Sequence, residues 1–331
     1  MLTMIHYVQR KSSIEKDVGS LGLKEELERD WFVEDEQDDG TGYVEDNDEH
    51  DVDSDKDEEE DEGGDVEDEG DEEEGMNHVL RQVTHGFHSV EGKMDHPMED
   101  YIVATSRKAS NHHLGLYAIF DGHSGSKVAE YLQSNLFDRI LGENDFWTSP
   151  KEAIKRAFRD TDDEILENVV GSRGGSTAVT AILVDQERLL VANVGDSRAI
   201  LCRNSEAKQI TVDHEPQKEK EQVESRGGYV SQMPGNVPRV DGQLSMSRAF
   251  GDESIKEHIT AEPDIFVEAI DAETEFVILA SDGLWKVMSN QEAANSIKGL
   301  NDAQEASKQL IKEALSRNSR DDISCIVVMF G

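Results

Sequence analysis

Residues 116–123 read LYAIFDGH, and residues 276–283 read FVILASDG. Each is an apolar run that stops on an Asp-Gly pair. Such a run reads as a buried strand, and a carboxylate at its end is costly unless something compensates the charge. The glycine beside it lets other backbone approach closely, so its own carbonyl can also serve as a ligand. Two more acid pairs flank apolar strands: Glu99-Asp100 precedes Tyr101-Ile102-Val103-Ala104, and Asp321-Asp322 precedes Ile323–Phe330. Gathered carboxylates repel by about 4 kcal/mol per close pair at an effective dielectric of roughly 20. A divalent cation turns that repulsion into attraction, and ligands made only of oxygen select Mg or Mn over Zn or Cu. One Asp-Gly pair is ordinarily a turn. Four acidic strand ends point to a shared site.

Working outward, periodicity and punctuation give further strands at Thr84–Val90, Tyr101–Thr105, Ala178–Val184, Arg188–Val194 and Arg198–Arg203. The two terminal apolar runs become strands Gly115–Phe120 and Phe276–Ser281. Helices are expected over Gly125–Ile140, following the first Asp-Gly directly, and over Pro150–Val170, Lys218–Ser225, Asn290–Ile297 and Asp302–Arg317. In the last, Asp302 is placed to cap, and Ala303, Ala306, Leu310 and Ala314 form one stripe. Asp185-Gln186-Glu187 is short enough to close an antiparallel hairpin. Strands that adjoin in sequence as well as alternate with helices indicate an α+β class. They suggest sheets with helices on their outer faces rather than a doubly wound parallel sheet.

The whole chain has 331 residues, a net charge of −40 and 36% hydrophobic residues. Its charge is concentrated at the start: residues 1–75 hold 32 Asp/Glu against 6 Lys/Arg, and 26 of the 42 residues from Glu34 to Gly75 are acidic. That run self-repels and lacks the apolar surface to offset an ordering cost of about 1–2 kcal/mol per residue. Residues 1–75 are therefore expected to be an acidic, largely disordered extension, with a short amphipathic helix at Ile14–Phe32, and residues 76–331 a globular domain with one sizeable core. No run of about 18 apolar residues is present, so no membrane span is expected, and no secretory signal is visible. Cys202 and Cys325 are the only cysteines, which excludes a disulfide scaffold and a cysteine-based zinc site and fits a cytoplasmic or nuclear home. An acidic chain is a poor direct ligand for nucleic acid. Its tail suits a basic protein partner.

Seven blocks then occur in order: Met98-Glu99-Asp100; Phe120-Asp121-Gly122-His123-Ser124-Gly125; Gly174-Gly175-Ser176-Thr177-Ala178; Val194-Gly195-Asp196-Ser197-Arg198; residues 241–252, DGQLSMSRAFGD; Ser281-Asp282-Gly283-Leu284-Trp285; and Ser319-Arg320-Asp321-Asp322-Ile323-Ser324. Together they resemble the metal-dependent Ser/Thr protein phosphatases of the 2C type (the PPM family), most closely the plant branch, over about residues 80–331. The resemblance implies a four-layer α-β-β-α sandwich of two stacked antiparallel sheets with flanking helices. It implies two Mg or Mn ions per subunit at one end of the sandwich, activating a water that hydrolyses phosphoserine and phosphothreonine in protein substrates. By the matching motifs, Asp121, the Gly122 carbonyl, Asp282 and Asp321 are the implied metal ligands. Glu99 and Asp100 act through bound waters, Asp196 serves a further metal, and His123 protonates the leaving oxygen.

Two positions depart from the family pattern. Asp95 stands where the family has a phosphate-gripping arginine, with Lys93 nearby as a partial substitute that lacks a bidentate fork. Lys286 stands where an aspartate helps hold the further metal; it is expected to repel that ion and to leave ligation by Asp121, Asp282 and Asp321 untouched. These departures keep open an alternative, a weakly active or inactive binding module on the same fold. His123 can also be a simple hydrogen-bonding residue at a helix start. Arg198 and Arg248 can be phosphate grips or structural ion-pair partners. His112, His113, His214 and His258 read as surface histidines, and Cys325 as core. Gly174-Gly175-Ser176-Thr177 reads as a turn entering a core strand, because the spacing of a phosphate-cradling loop is missing.

Overall fold

A computed structural model describes residues 82–169 and 173–331. The acidic extension, residues 1–75, and the helix expected at Ile14–Phe32 lie outside the described residues. Fourteen strands and six α-helices follow in chain order: β1 (Val83–Val90), β2 (Asp100–Ala109), β3 (His112–His123), α1 (Lys127–Gly142), α2 (Pro150–Asn168), β4 (Gly175–Ser176), β5 (Ala178–Val184), β6 (Arg188–Val194), β7 (Arg198–Arg203), β8 (Glu206–Gln209), α3 (Lys220–Ser225), β9 (Val230–Ser231), β10 (Arg239–Val240), β11 (Phe250–Gly251), β12 (Asp264–Ala269), β13 (Thr274–Ala280), α4 (Asp282–Trp285), α5 (Asn290–Ile297), α6 (Ala303–Ser316) and β14 (Ile323–Phe330).

Two antiparallel sheets carry the fold. One has the order β1-β14-β13-β7-β8; the other runs β11-β4-β3-β5-β6-β12, with β2 paired to β3. Alternate residues along each central strand point to opposite faces, and here both faces are covered. In β3, Tyr117 and Ile119 pack between the sheets with Val179, Ala181, Val277, Leu279, Ile326 and Val328. The residues between them, Leu116, Ala118 and Phe120, pack outward against Leu132, Leu136, Phe158 and Ile165 of α1 and α2. On the opposite side, Ile278 and Cys325 pack against Ala294, Ala306 and Leu310 of α5 and α6. Burial on both faces explains why these strands read as unbroken apolar runs. The layers are helix, sheet, sheet, helix, as the sequence implied.

Turn chemistry sets the register. Ser110 and Asn111 both have positive φ and close β2 onto β3, with Ala109 opposite His112. Asn204 and Ser205 do the same for β7 and β8. A two-residue loop with both φ positive matches the twist of its strands. Asp302 caps α6 by accepting from Glu305 N–H at 2.9 Å, and Ala303, Ala306, Leu310 and Ala314 are all buried, as the stripe predicted.

Several elements differ from the sequence reading. Asp121-Gly122-His123 lies inside β3 rather than after it, and α1 starts only at Lys127. The extension is held by pairing on both sides: Asp121 is opposite Asp100, and His123 is opposite Gly175. Strands β8 and β12 were not foreseen. Both are edge strands with half-exposed side chains: β8 has no apolar run, and that of β12 is only Ile265-Phe266-Val267. Helix α4, not expected at all, begins on Asp282 itself.

Candidate active site

The acidic strand ends converge because the two sheets meet there. Asp121 and Asp100 are directly opposed on β3 and β2. Asp282 follows β13, and Asp321 precedes β14, its hydrogen-bonded neighbour. The Ser281 hydroxyl joins the sheets: it accepts from Ser324 N–H at 2.9 Å and donates to Asp100 Oδ2 at 2.9 Å. Both Asp-Gly glycines are demanded by backbone proximity. A Cβ on Gly122 would lie 2.7 Å from the Glu99 carbonyl oxygen, and one on Gly283 would lie 2.1 Å from that of Asp322.

The electrostatics follow from that convergence. Burial pushes the Asp121 carboxyl well up, and the charges of Asp100, Asp282, Asp196 and Asp321 add to it. Asp100 is pushed up to about 7, first by burial and against the nearby Ser324 hydroxyl and its hydrogen bond from Ser281. Asp196 also rises to about 7, through burial and then the charge of Asp282, with Lys286 opposing. Asp282 rises through burial, again opposed by Lys286. Thus Asp121, Asp100, Asp282, Asp196 and Asp321 form one interacting group, in which Asp196 joins the acids of the four strand ends.

Lys286 occupies that group differently from the expectation. Its Nζ lies 2.5 Å from Asp282 Oδ2 and 2.8 Å from Asp321 Oδ2. The sequence reading left those two carboxylates untouched by Lys286; the structure has the ammonium bridging them. A four-carbon stem at the end of α4 reaches both, because position 286 follows Asp282 by one helical turn. Among the described residues, no three Asp, Glu, His or Cys side chains close into a cation cage. Bare carboxylates repel, and the ammonium takes the space between two of them.

The donor chemistry nevertheless fits a hard divalent cation. Every candidate ligand is an oxygen, and Oδ1 of Asp100 and Oδ1 of Asp196 are buried without a partner. Asp100 as a residue is only 8% exposed. An orphaned buried carboxylate oxygen costs several kcal/mol unless an ion or water satisfies it, on the order of 1–3 kcal/mol for a neutral group and more for a charged one.

Other sequence candidates take defined places. Glu99 turns partly to backbone support: Oε1 accepts from Gly125 N–H at 2.7 Å. Asp322 accepts from Gly92 and Glu99 N–H groups at 2.7 and 2.8 Å. Lys93 and Asp95 are exposed in the loop before β2, and the Lys93 N–H donates to the Arg320 carbonyl at 2.6 Å. His123 Nε2 lies 2.8 Å from Asp252 Oδ2. Its Nδ1 is buried without a partner. Asp252 is a functional neighbour that sequence reasoning did not assign, although it ends the quoted block 241–252. Gly175 makes room for it: a Cβ there would lie 2.3 Å from Asp252 Oδ2. Thr177 holds Asp121 through two backbone contacts, accepting from its N–H at 3.2 Å and donating its own N–H to the Asp121 carbonyl at 2.9 Å.

The two arginines are ion-pair partners. Arg198 bonds Asp213 at 3.2 and 2.5 Å and Asn290 at 2.7 Å, and lies over the Trp285 ring. Arg248 clamps Glu219 and reaches Asp264 at 3.1 Å. His214 is not a surface histidine: it is fully buried, its Nδ1 accepts from Gly195 N–H at 2.9 Å, and Nε2 lies 3.1 Å from Asp264. It thereby holds the turn that carries Asp196. His258 pairs with Asp241 at 2.5 Å. Beside the acids, a cleft of about 360 Å³ is lined by Asp196, Asp282, Lys286, Arg198, Arg239 and Trp285.

Comparison with known proteins adds the relatives. A family model described as Protein phosphatase 2C matches residues 84–323. The chain is 62% identical over 258 residues to a probable protein phosphatase 2C 28 of Arabidopsis thaliana, covering 78% of this chain and 76% of that protein. It is 57% identical over 254 residues to a probable protein phosphatase 2C 62 of Oryza sativa subsp. japonica, covering 76% and 88%. Among solved structures, a C. elegans sex determining protein superimposes with a TM-score of 0.68 at 26% identity, covering 75% of this chain and 64% of that one. A serine-threonine phosphatase 2C from Toxoplasma gondii has a TM-score of 0.66 at 22% identity, covering 75% and 95%, and is similar in fold.

Proposed function

The chain belongs to the protein phosphatase 2C family of metal-dependent protein serine/threonine phosphatases, and from that premise we propose that it works through a binuclear Mg or Mn centre. The observation that carries this reading is the interacting group of Asp121, Asp100, Asp282, Asp196 and Asp321, with buried carboxylate oxygens that have no protein partner. Asp121, the Gly122 carbonyl, Asp282 and Asp321 are the residues that would hold two ions, with Glu99 and Asp100 acting through water and Asp196 available to a further ion. Bound ions of this kind lower the pKa of a water towards about 7 and neutralise charge on the phosphoryl oxygens.

The chain's own residues do the rest. His123 donates a proton to the departing serine or threonine oxygen. Asp252 fixes its ring through Nε2, which leaves Nδ1 as the nitrogen with no protein partner. Thr177 fixes the backbone of Asp121, and His214 fixes the Gly195–Asp196 turn. Lys93, tethered beside Asp321 through Arg320, is the substitute phosphate contact. Asp121 is not a covalent nucleophile: that chemistry needs a second acid two residues on, and His123 stands there. Acid quenching with a labelled phosphothreonine peptide tests this. No label on the protein, and loss of turnover in Asp121→Asn, are expected; a trapped aspartyl-phosphate contradicts the reading.

A second reading, a weakly active or inactive binding module, is favoured by the Lys286 bridge and by exposed Asp95. Robust Mn²⁺-dependent turnover excludes it. Residues 1–75 are proposed as an acidic extension of the domain at 76–331 that engages a basic protein in the cytoplasm or nucleus. Deleting them should abolish binding to a basic partner; unchanged, salt-sensitive binding contradicts that role.

A further inference from the structure

We infer that Lys286 is a tethered cation that competes with a divalent ion for Asp282 and Asp321. The inference rests on the binuclear reading above. Its own basis is geometric: one ammonium contacts a carboxylate oxygen of both residues, at 2.5 and 2.8 Å. Two acids that the fold places at the end of β13 and the start of β14 are thus bridged by a positive charge carried on their own chain.

An ammonium and a divalent ion held side by side on those two carboxylates repel each other, so each weakens the other's hold. The lysine is able to leave. Its side chain is 55% exposed, and its flexible stem lets the ammonium reach water without moving the backbone. Net charge favours the exchange: a divalent ion brings two positive charges where the lysine brought one. Lys286 therefore has two effects. It relieves carboxylate repulsion while metal is scarce, and it raises the metal concentration needed to fill the position next to Asp282 and Asp321. The sequence reading placed its effect on the further ion at Asp196. The contacts place it one step closer, on two of the proposed ligands of the binuclear centre.

Mn²⁺ titration of the full chain by calorimetry, with wild type beside Lys286→Met, tests the inference. Methionine keeps the length and apolar stem and removes the charge. The weaker Mn²⁺ step is expected to tighten at least tenfold in Lys286→Met, with the other step changed less than threefold. A second readout needs no variant: acetylation of Lys286 in the wild-type protein, followed by mass spectrometry against exposed Lys218, is expected to speed up at least fivefold on adding Mn²⁺. Equal Mn²⁺ affinities in the two proteins, or a Lys286 acetylation rate that Mn²⁺ leaves unchanged, overturn the inference alone. No Mn²⁺ uptake by either protein overturns it together with the binuclear reading.

Discussion

Ser281 Oγ donates to Asp100 Oδ2 at 2.9 Å across the junction of the two sheets, while accepting from Ser324 N–H. One hydroxyl therefore ties β14 to β2 and orients an acid of the site. Ser281→Ala leaves a buried N–H and a buried carboxylate oxygen unsatisfied, at about 1–3 kcal/mol for each group. Urea unfolding of the metal-free chain should show a loss of about 2–6 kcal/mol, and turnover should fall with it. An unfolding midpoint equal to wild type counts against the role given to this hydroxyl.

The His123–Asp252 pair makes a prediction that separates acid catalysis from structural support. Asp252→Asn should lower kcat on a phosphothreonine peptide by about 10²-fold, within the 10²–10⁴ range of general acid catalysis. An aryl phosphate with a good leaving group needs less protonation, so its kcat should fall much less. Equal losses on both substrates point to a purely structural pair.

The Asp-Gly glycines should rank by how closely backbone approaches them. Gly283→Ala sets a methyl against the Asp322 carbonyl at 2.1 Å, and Gly122→Ala sets one against the Glu99 carbonyl at 2.7 Å. Overpacking costs about 1–3 kcal/mol or more, and Gly283→Ala should lose more stability by denaturant midpoint. The reverse order contradicts the packing at α4.

Acid stability should depend on Asp264. The hydrogen bond from His214 and then the charge of Arg248 hold its carboxyl below the ordinary range. A depressed folded-state pKa stabilises above the unfolded value, about 3.9, and that contribution is lost as pH falls through the folded value. Asp264→Asn should therefore flatten the fall in unfolding free energy below about pH 4, while lowering stability at pH 7. An acid limb as steep as that of wild type argues against the assignment.

Much of this was legible in the sequence where the signal is local. Strands β5, β6, β7 and β14 end at the residues their apolar runs suggested, because both faces are buried and the turns carry polar punctuation. The acids at 100, 282 and 321 are legible as strand ends, and Asp121 as an acid close to one. What was not legible depends on distant partners. Asp252 serves His123 across 129 residues, and His214 is buried by Asp264 across 50. Nothing local to either histidine announces its carboxylate. Lys286 is legible as a departure that acts near Asp196, but its contacts to Asp282 and Asp321 are not. That the lysine bridges those two depends on where β14 begins relative to α4, and spacing along one segment does not contain that.

The most direct test of the metal-dependent assignment is turnover of a phosphothreonine peptide by chain stripped with a chelator and refilled with Mn²⁺, with Asp282→Asn beside wild type and circular dichroism to verify folding. Wild type should be silent without the ion and active with it, and folded Asp282→Asn should lose about two orders of magnitude or more, comparable to removing a group that stabilises the transition state. Turnover that persists without metal, or a folded Asp282→Asn as active as wild type, contradicts the account.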